Sequence, residues 1–269
     1  MAKIKVAVAG CLGRMGQEIS KQILQNKKLE FAGGFEHNKH KDINKPLNKV
    51  SSIPSSKFVT ANSAQLIKEA NVIIDFTTPK STLDNLKIAS ANKTAVVIGT
   101  TGMTDAQKKK VKGYSKKIPI LMSSNMSLGV NLLFNLVKQT ASALKDTNYD
   151  IEIAETHHKH KKDAPSGTAL SLGEYAAEGR KTKLNISKVL DRTKKLTSRK
   201  KGDIGFAVTR GGEVAGEHTV SFIGENDRVD LVHKANNRSI FVTGAIDAAV
   251  FVSKKKTGFF SMNDLISLK

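Results

Sequence analysis

Through about residue 125, short apolar runs alternate with stretches of helical periodicity, a pattern that predicts a parallel sheet covered by helices. Ile4 to Ala9 reads as a buried first strand, followed by a glycine turn and an amphipathic helix ending near Gln25. Leu29 to Phe35, Lys57 to Thr60, Val72 to Phe76, Ala95 to Gly99 and Ile118 to Met122 follow as strands, that at Lys57 to Thr60 being the weakest. Helices are predicted near Ser63 to Glu69, Ser81 to Ala91 and Thr104 to Ser115. The fold class expected for residues 1–126 is therefore α/β, a Rossmann-like doubly wound domain.

After Asn125 the character changes. A helix from about Val130 to Leu144 leads into a strand at Tyr149 to Glu155, a polar glycine-bearing loop and a helix from Thr168 to Ala177. Residues 180 to 201 are basic and poorly periodic, and read as loop. Alternating runs at Gly205 to Arg210, His218 to Ile223 and Arg228 to Lys234 predict antiparallel strands of a second sheet. A smaller α+β domain is thus expected over 127–236, and the helix pattern Ile240 to Val252, within 237–269, is expected to return to the first domain. A length of 269 residues suits two domains.

Composition narrows the class. No apolar run reaches the ~18 residues that span a bilayer, and Met1-Ala2-Lys3-Ile4 leads into a strand instead of a signal peptide, so no membrane association and a cytoplasmic protein are expected. The single cysteine, Cys11, excludes an intramolecular disulfide and makes metal and redox scaffolds poor readings. A net charge of +20 attracts nucleic acid, anionic membranes and small anions alike. With no aromatic stacking platform and no recognised binding module, no nucleic-acid partner is expected. The runs Lys108 to Lys110, Lys194 to Lys201 and Lys254 to Lys256 read as solvated surface, whereas that at Lys159 to Lys162 interleaves with histidines.

Two segments carry chemistry. The first, V-A-V-A-G-C-L-G-R-M-G-Q-E-I, sets Gly10, Gly13 and Gly16 between a strand and a helix N-terminus, where free backbone N–H groups and the helix dipole suit a pyrophosphate. It is G-x-x-G-x-x-G, with Leu12 where the usual fingerprint has its second glycine. Glu36 follows the second strand about where an acid meets an adenosine ribose. The turns Gly99-Thr100-Thr101-Gly102 and Ser123-Ser124-Asn125-Met126 also follow strands, and read either as cofactor-lining loops or as turns alone.

The second segment, E-T-H-H-K-H-K-K-D-A-P-S-G-T-A from Glu155 to Ala169, offers His157, His158 and His160, three lysines, and Ser166-Gly167-Thr168 opening a helix. A small dicarboxylate substrate would find cationic donors and a helix N-terminus here, with imidazole as proton exchanger. A metal site is disfavoured, because adjacent strand residues face opposite ways and the lysines repel a cation. A solvated basic loop is the remaining reading.

The chain resembles the dihydrodipicolinate reductase (4-hydroxy-tetrahydrodipicolinate reductase) family. The motifs are V-A-G-C-L-G-R-M-G at 8 to 16, D-F-T at 75 to 77, G-T-T-G at 99 to 102 and S-N-M-S-L-G-V-N at 124 to 131. They continue with E-T-H-H-K-H-K-K-D-A-P-S-G-T-A-L at 155 to 170, G-E-H-T-V at 216 to 220 and H-K-A-N-N-R at 233 to 238. The resemblance implies NADH- or NADPH-dependent reduction of a cyclic imine dicarboxylate to tetrahydrodipicolinate, in lysine and diaminopimelate biosynthesis. It implies His157 as proton donor or acceptor, Lys161 as proton donor, and His158, Gly167 and Thr168 as carboxylate-binding positions. Cofactor contacts are implied at Gly10, Cys11, Leu12, Gly13, Arg14, Met15, Glu36, Gly99, Thr100, Thr101, Ser123, Ser124, Asn125 and Met126. A homotetramer is implied, with 127–236 serving substrate binding and tetramerisation. One departure is His37, where many members carry an arginine suited to the adenosine 2′-phosphate, so use of both cofactors is expected. Another two-domain dehydrogenase of amino or hydroxy acids is the competing enzymatic reading.

Overall fold

The computed structural model describes residues 2–146, 148–193 and 197–266. It divides into two compact units, Met1–Leu128 with Ser239–Lys269, and Gly129–Arg238.

The first unit is built on six parallel strands. These are β1 (Ile4–Ala9), β2 (Leu29–Phe35), β3 (Val72–Asp75), β4 (Ala95–Ile98), β5 (Pro119–Met122) and β11 (Gly258–Phe260), in the order β11-β5-β4-β3-β1-β2. Alternation along β1 explains how one strand feeds two cores, because successive side chains leave opposite faces of a sheet. Val6 and Val8 pack with Ile19 and Ile23 of α1 (Arg14–Gln25) and with Val242, Ala245 and Ala249 of α9 (Ser239–Val252). Ala7 and Ala9 pack on the other side with residues of α3 (Ser63–Glu69), α4 (Pro79–Asn92) and α5 (Asp105–Tyr114). Local signals start these helices: the Thr78 side chain accepts from Ser81 N–H ahead of Pro79, and Thr104 and Gln107 form a capping box.

One local expectation fails here, and three short elements are additional to those expected. The weak strand at Lys57 to Thr60 is reduced to isolated bridges, Phe35 with Thr60 and Pro46 with Phe58, because only Val59 of the run is buried while Phe58 is 59% exposed. A four-residue helix, α2 (Leu47–Val50), precedes it. Strand β11 and the short α10 (Met262–Ile266) were not anticipated, since three residues beside a lysine run carry almost no periodic signal.

The second unit is a five-stranded mixed sheet, β10-β9-β6-β8-β7, with α6 (Leu128–Ala143) and α7 (Gly167–Gly179) on one face. Strand β6 (Asp150–His157) is central, and Ile151 and Ile153 point into the apolar layer with Val220 and Phe222 of β9 (Glu217–Ile223). The expectation of three antiparallel strands is corrected in one respect. Strand β8 (Ile204–Arg210) runs parallel to β6, from Ile151 opposite Ile204 to His157 opposite Arg210, while β9 and β10 (Arg228–Lys234) run antiparallel. Helix α7 lies between β6 and β8 in the chain and supplies the crossover a parallel pair requires, whereas alternation fixes a strand's faces and not its direction. Within residues 180–201, read as loop, α8 (Leu184–Ser187) and the two-residue β7 (Lys188–Val189) form, β7 being specified by its pairing with β8. Lys194 and Lys195 of the expected surface run lie outside the described residues, while Lys108 to Lys110 and Lys254 to Lys256 are exposed.

Phe222 is completely buried, so Phe222→Ala is expected to lower stability by ~3–5 kcal/mol in urea denaturation of the full chain. Phe58→Ala, at an exposed position, should stay within about 0.5 kcal/mol of the parent.

Candidate active site

In the first unit the loops of interest follow the carboxyl ends of β1, β3, β4 and β5, where open α/β sheets gather ligands. Three glycines shape the loop after β1. A β-carbon at Gly16 would lie 2.1 Å from the Gly10 carbonyl oxygen and 2.8 Å from Cys11 Cα, so helix α1 approaches β1 more closely than any side chain would permit. Gly10 adopts φ +68°, a left-handed conformation that glycine takes without strain. The helix cap at Gly13 carries no side-chain hydrogen bond, which leaves the N-terminus of α1 without a competing side-chain cap.

Leu12 N–H donates to Glu36 Oε1 at 2.8 Å, so the acid at the end of β2 is tied to the glycine loop. A cavity of about 660 Å³ opens beside them, lined by Gly10, Leu12, Gly13, Glu36, His37 and His40 among others. Cys11 is fully buried beneath the loop. Burial, with the Glu36 charge adding to it, pushes its thiol up to about 12, so it is no nucleophile. Arg14 and Met15 form the first turn of α1.

The turn after β4 is tied to β3 through the buried Asp75. Its carboxylate accepts from Thr77 N–H at 3.0 Å, Thr77 Oγ1 at 2.6 Å and Asn85 Nδ2 at 2.9 Å. Thr100 Oγ1 in turn accepts from Thr77 N–H at 3.1 Å and pairs with Thr82 Oγ1 at 2.9 Å. Gly99 lies under the Phe76 ring, which would stand 2.2 Å from a β-carbon there, while Thr101 is exposed. After β5, Ser123 Oγ donates to Asn125 O at 2.7 Å, and Met126 is buried. Ser124 lies between them; all of these positions follow the carboxyl ends of strands of the first sheet, although only Gly10, Leu12, Gly13 and Glu36 of the cofactor set line the cavity itself.

In the second unit the C-terminal end of β6 carries Glu155 and His157 on the face that packs inward, both nearly inaccessible to solvent. Strand pairing places His218 opposite Glu155 and Arg210 opposite His157. Glu155 Oε1 accepts from Ser166 N–H at 3.0 Å and from Arg210 Nη2 at 2.9 Å. Its Oε2 lies 3.5 Å from His157 Nδ1 and 3.6 Å from His218 Nε2. Burial raises the Glu155 carboxyl, but the nearby His218 ring and the bonds from Ser166 and Arg210 together outweigh it and hold the group well below the carboxylate range. Burial also dominates at His157, which is lowered to about 4 with help from His218, Lys161 and Arg210 and against the pull of Glu155. His157 is therefore neutral at pH 7.

The loop after His157 carries further charge. His158 N–H donates to Val214 O at 2.8 Å, and its ring Nε2 lies 3.0 Å from Arg238 Nη2. Lys161 Nζ lies 2.9 Å from the Asp163 carboxylate, and Asp163 is lowered chiefly by that bond. Ser166 caps α7, its hydroxyl accepting from Ala169 N–H at 3.1 Å, and Gly167 at the first helical position faces open space. His160 stands apart, exposed beside Glu213. Glu155, His157 and His218 offer ligand atoms within 4.8 Å of one another, but Arg210 already neutralises the carboxylate, so the group reads as an acid–base cluster.

A family model described as Dihydrodipicolinate reductase, N-terminus, matches residues 4–126, and one described as Dihydrodipicolinate reductase, C-terminus, matches residues 129–266. The chain belongs to the dihydrodipicolinate reductase family. It is 44% identical over 270 residues to the 4-hydroxy-tetrahydrodipicolinate reductase of Parvibaculum lavamentivorans, covering 100% of this chain and 99% of that protein. It is 43% identical over 266 residues to that of Agrobacterium fabrum, covering 98% and 97%. Among solved structures it resembles a dipicolinate-bound dihydrodipicolinate reductase from Paenisporosarcina sp. TG-14, with 28% identity, a TM-score of 0.77 and coverage of 97% and 98%. The family and the doubly wound fold named from the sequence motifs are those found.

Against the residues singled out for this family, the second unit gathers His157, Lys161, His158, Gly167 and Thr168 around the end of β6 and the start of α7. Sequence reasoning missed Glu155, Arg210 and His218 as members of the cluster. The signal for Glu155 was present, since residues two apart on a strand share a face; Arg210 and His218 depend on strand pairing with no local signature.

A buried histidine lowered from 6.5 to about 4 binds its proton more readily when unfolded, so its contribution to stability is present above pH 6.5 and is lost as pH falls toward 4. The full chain is expected to lose as much as about 3 kcal/mol from this group over that window. His157→Gln should flatten this part of the stability–pH curve in urea titrations, leaving a smaller slope from His233, which burial also lowers.

Proposed function

We propose that this chain is a 4-hydroxy-tetrahydrodipicolinate reductase whose first unit holds a nicotinamide dinucleotide and whose second unit holds the cyclic imine dicarboxylate formed from 4-hydroxy-tetrahydrodipicolinate by loss of water. The observation that carries this reading is full-length membership of the reductase family together with a neutral buried imidazole, an ion-paired lysine and a helix start at which Gly167 faces open space, all in one unit. The nicotinamide cofactor supplies hydride when bound.

The residues of this chain divide the remaining work. Gly10 to Met15 would hold the pyrophosphate against the uncapped start of α1, and Glu36 the adenosine ribose, with the turns at Gly99 to Thr101 and Ser123 to Met126 further along the cofactor. The N-terminus of α7 at Gly167 and Thr168, with His158, would bind substrate carboxylates, since backbone N–H groups and the helix dipole favour anions. Lys161, held by Asp163, donates the proton that complements hydride addition, and neutral His157 serves as the adjoining acceptor.

Glu36 favours a free 2′-hydroxyl, and the histidines at 37 and 40 line the same cavity, so both NADH and NADPH serve. The outward face of the second sheet carries Ala154, Thr219 and the half-exposed Val232, a surface suited to pairing of copies in the homotetramer proposed here. No helix among the described residues is long and apolar enough to cross a membrane, which accords with the cytoplasmic location proposed.

A coupled assay that follows nicotinamide absorbance with freshly generated substrate should show turnover with both coenzymes. His157→Gln and Lys161→Ala should each lower kcat by ~10²–10³-fold, while cofactor KM changes by no more than about twofold. Loss of nucleotide binding in both variants would refute the division of labour. His37→Arg should shift the kcat/KM ratio toward NADPH by ~10-fold, because a guanidinium matches a phosphate in a bidentate manner.

A further inference from the structure

We infer that Glu155 is a positioning residue that holds the proton of the neutral His157 ring on Nδ1, leaving Nε2 as the acceptor nitrogen. This rests on the role proposed for His157 in the reductase reaction, yet it is read out without turnover.

The argument begins from two buried atoms. Glu155 Oε2 and His157 Nδ1 each lack a hydrogen-bond partner meeting ordinary geometry among the described residues, and they face one another at 3.5 Å. An ionised carboxylate is an acceptor only, so a proton between them must belong to the ring. The other neutral tautomer would set a nitrogen lone pair against a carboxylate lone pair in a place without solvent, leaving two buried acceptors unsatisfied.

The groups facing His157 come from every neighbouring strand. His218 approaches from β9 with ring centroids 5.1 Å apart, Arg210 from the end of β8, and Lys161 from the following loop, while His218 also acts on His233 of β10. Among the main electrostatic influences on His157, Glu155 favours its protonated form, while His218, Lys161 and Arg210 oppose it. The ring thus stays neutral, and its proton is placed by the one anion it touches. On the far side, a β-carbon at residue 216 would stand 3.0 Å from His157 Nε2, and Gly216 leaves that nitrogen uncovered.

The cradle of Glu155 makes Glu155→Gln a directed test. Ser166 N–H and Arg210 both donate to the Oε1 position, so the amide oxygen must occupy it. The amide nitrogen then takes the Oε2 position and presents a donor to His157 Nδ1, which must become an acceptor. The proton is displaced to Nε2.

The experiment is a two-bond ¹⁵N–¹H spectrum of the full-length, histidine-labelled chain at about pH 7, where neutral imidazole prevails at this site, with His157 assigned by its loss in His157→Gln. The expected wild-type pattern is a protonated-type Nδ1 and an unprotonated-type Nε2, exchanged in Glu155→Gln. With that exchange, kcat should fall ~10–100-fold, as for other residues that orient a functional imidazole, while cofactor KM stays within about twofold. A wild-type ring protonated on Nε2 overturns the inference, and so does an exchanged ring with undiminished kcat. If the variant does not fold, the wild-type spectrum alone decides the proton's place. The expected spectrum in a chain that turns over no substrate would refute the reaction and leave the proton placement standing.

Discussion

A carboxylate withdrawn from water is stable only where fixed donors replace the lost hydration, and the second unit is organised around one such group. Glu155 is ionised because Ser166, Arg210 and His218 converge on it, and each comes from a different element: the cap of α7, the end of β8 and the start of β9. Removing one partner from a buried charge of this kind is far more costly than the net worth of the interaction, since the remaining charge is left uncompensated. The same carboxylate therefore holds the start of α7, the strand that ends in Arg210, and the imidazole beside it. Packing and chemistry share one constraint here.

The first unit obeys a different one, the approach of backbone to backbone. Helix α1 sits so close to β1 that Gly16 has no room for a β-carbon, and the positive φ of Gly10 turns the chain beneath it. Leu12, standing where a glycine is usual, is accommodated because its backbone N–H, not its side chain, is what the loop directs at Glu36. The absence of a side-chain cap on α1 would be a defect in an ordinary helix, where capping satisfies N–H groups; beside a cavity of this size it is what a phosphate-binding turn needs.

Charge acts at two ranges. The surplus of lysine, +20 overall, surrounds the molecule with a field that draws small dianions. At short range the pairing is more selective: Lys161 is steadied by Asp163, and Arg210 is committed to Glu155. Screening by salt weakens the first effect much more than the second.

How much of this was legible in the chain follows from the range of the forces involved. Hydrophobic alternation and helical periodicity are local, and they located the principal strands of both sheets and most long helices; the glycine turn and the histidine-lysine block were legible for the same reason, since each is contiguous. The Lys57 to Thr60 segment, β7 and β11 lay beyond that reach, because strands of two or three residues exist only through a partner elsewhere. The direction of β8 was likewise undecided by its own pattern. Tertiary structure alone placed Arg210 and His218 against Glu155: strand register sets His218 opposite Glu155, 63 positions away, and sets Arg210 opposite His157, from where its side chain reaches Glu155 across 55 positions. Residue type and spacing determined which chemistry the chain carries; pairing between distant strands decided which of those groups are buried together, and so which of them are neutral, charged or held in one orientation.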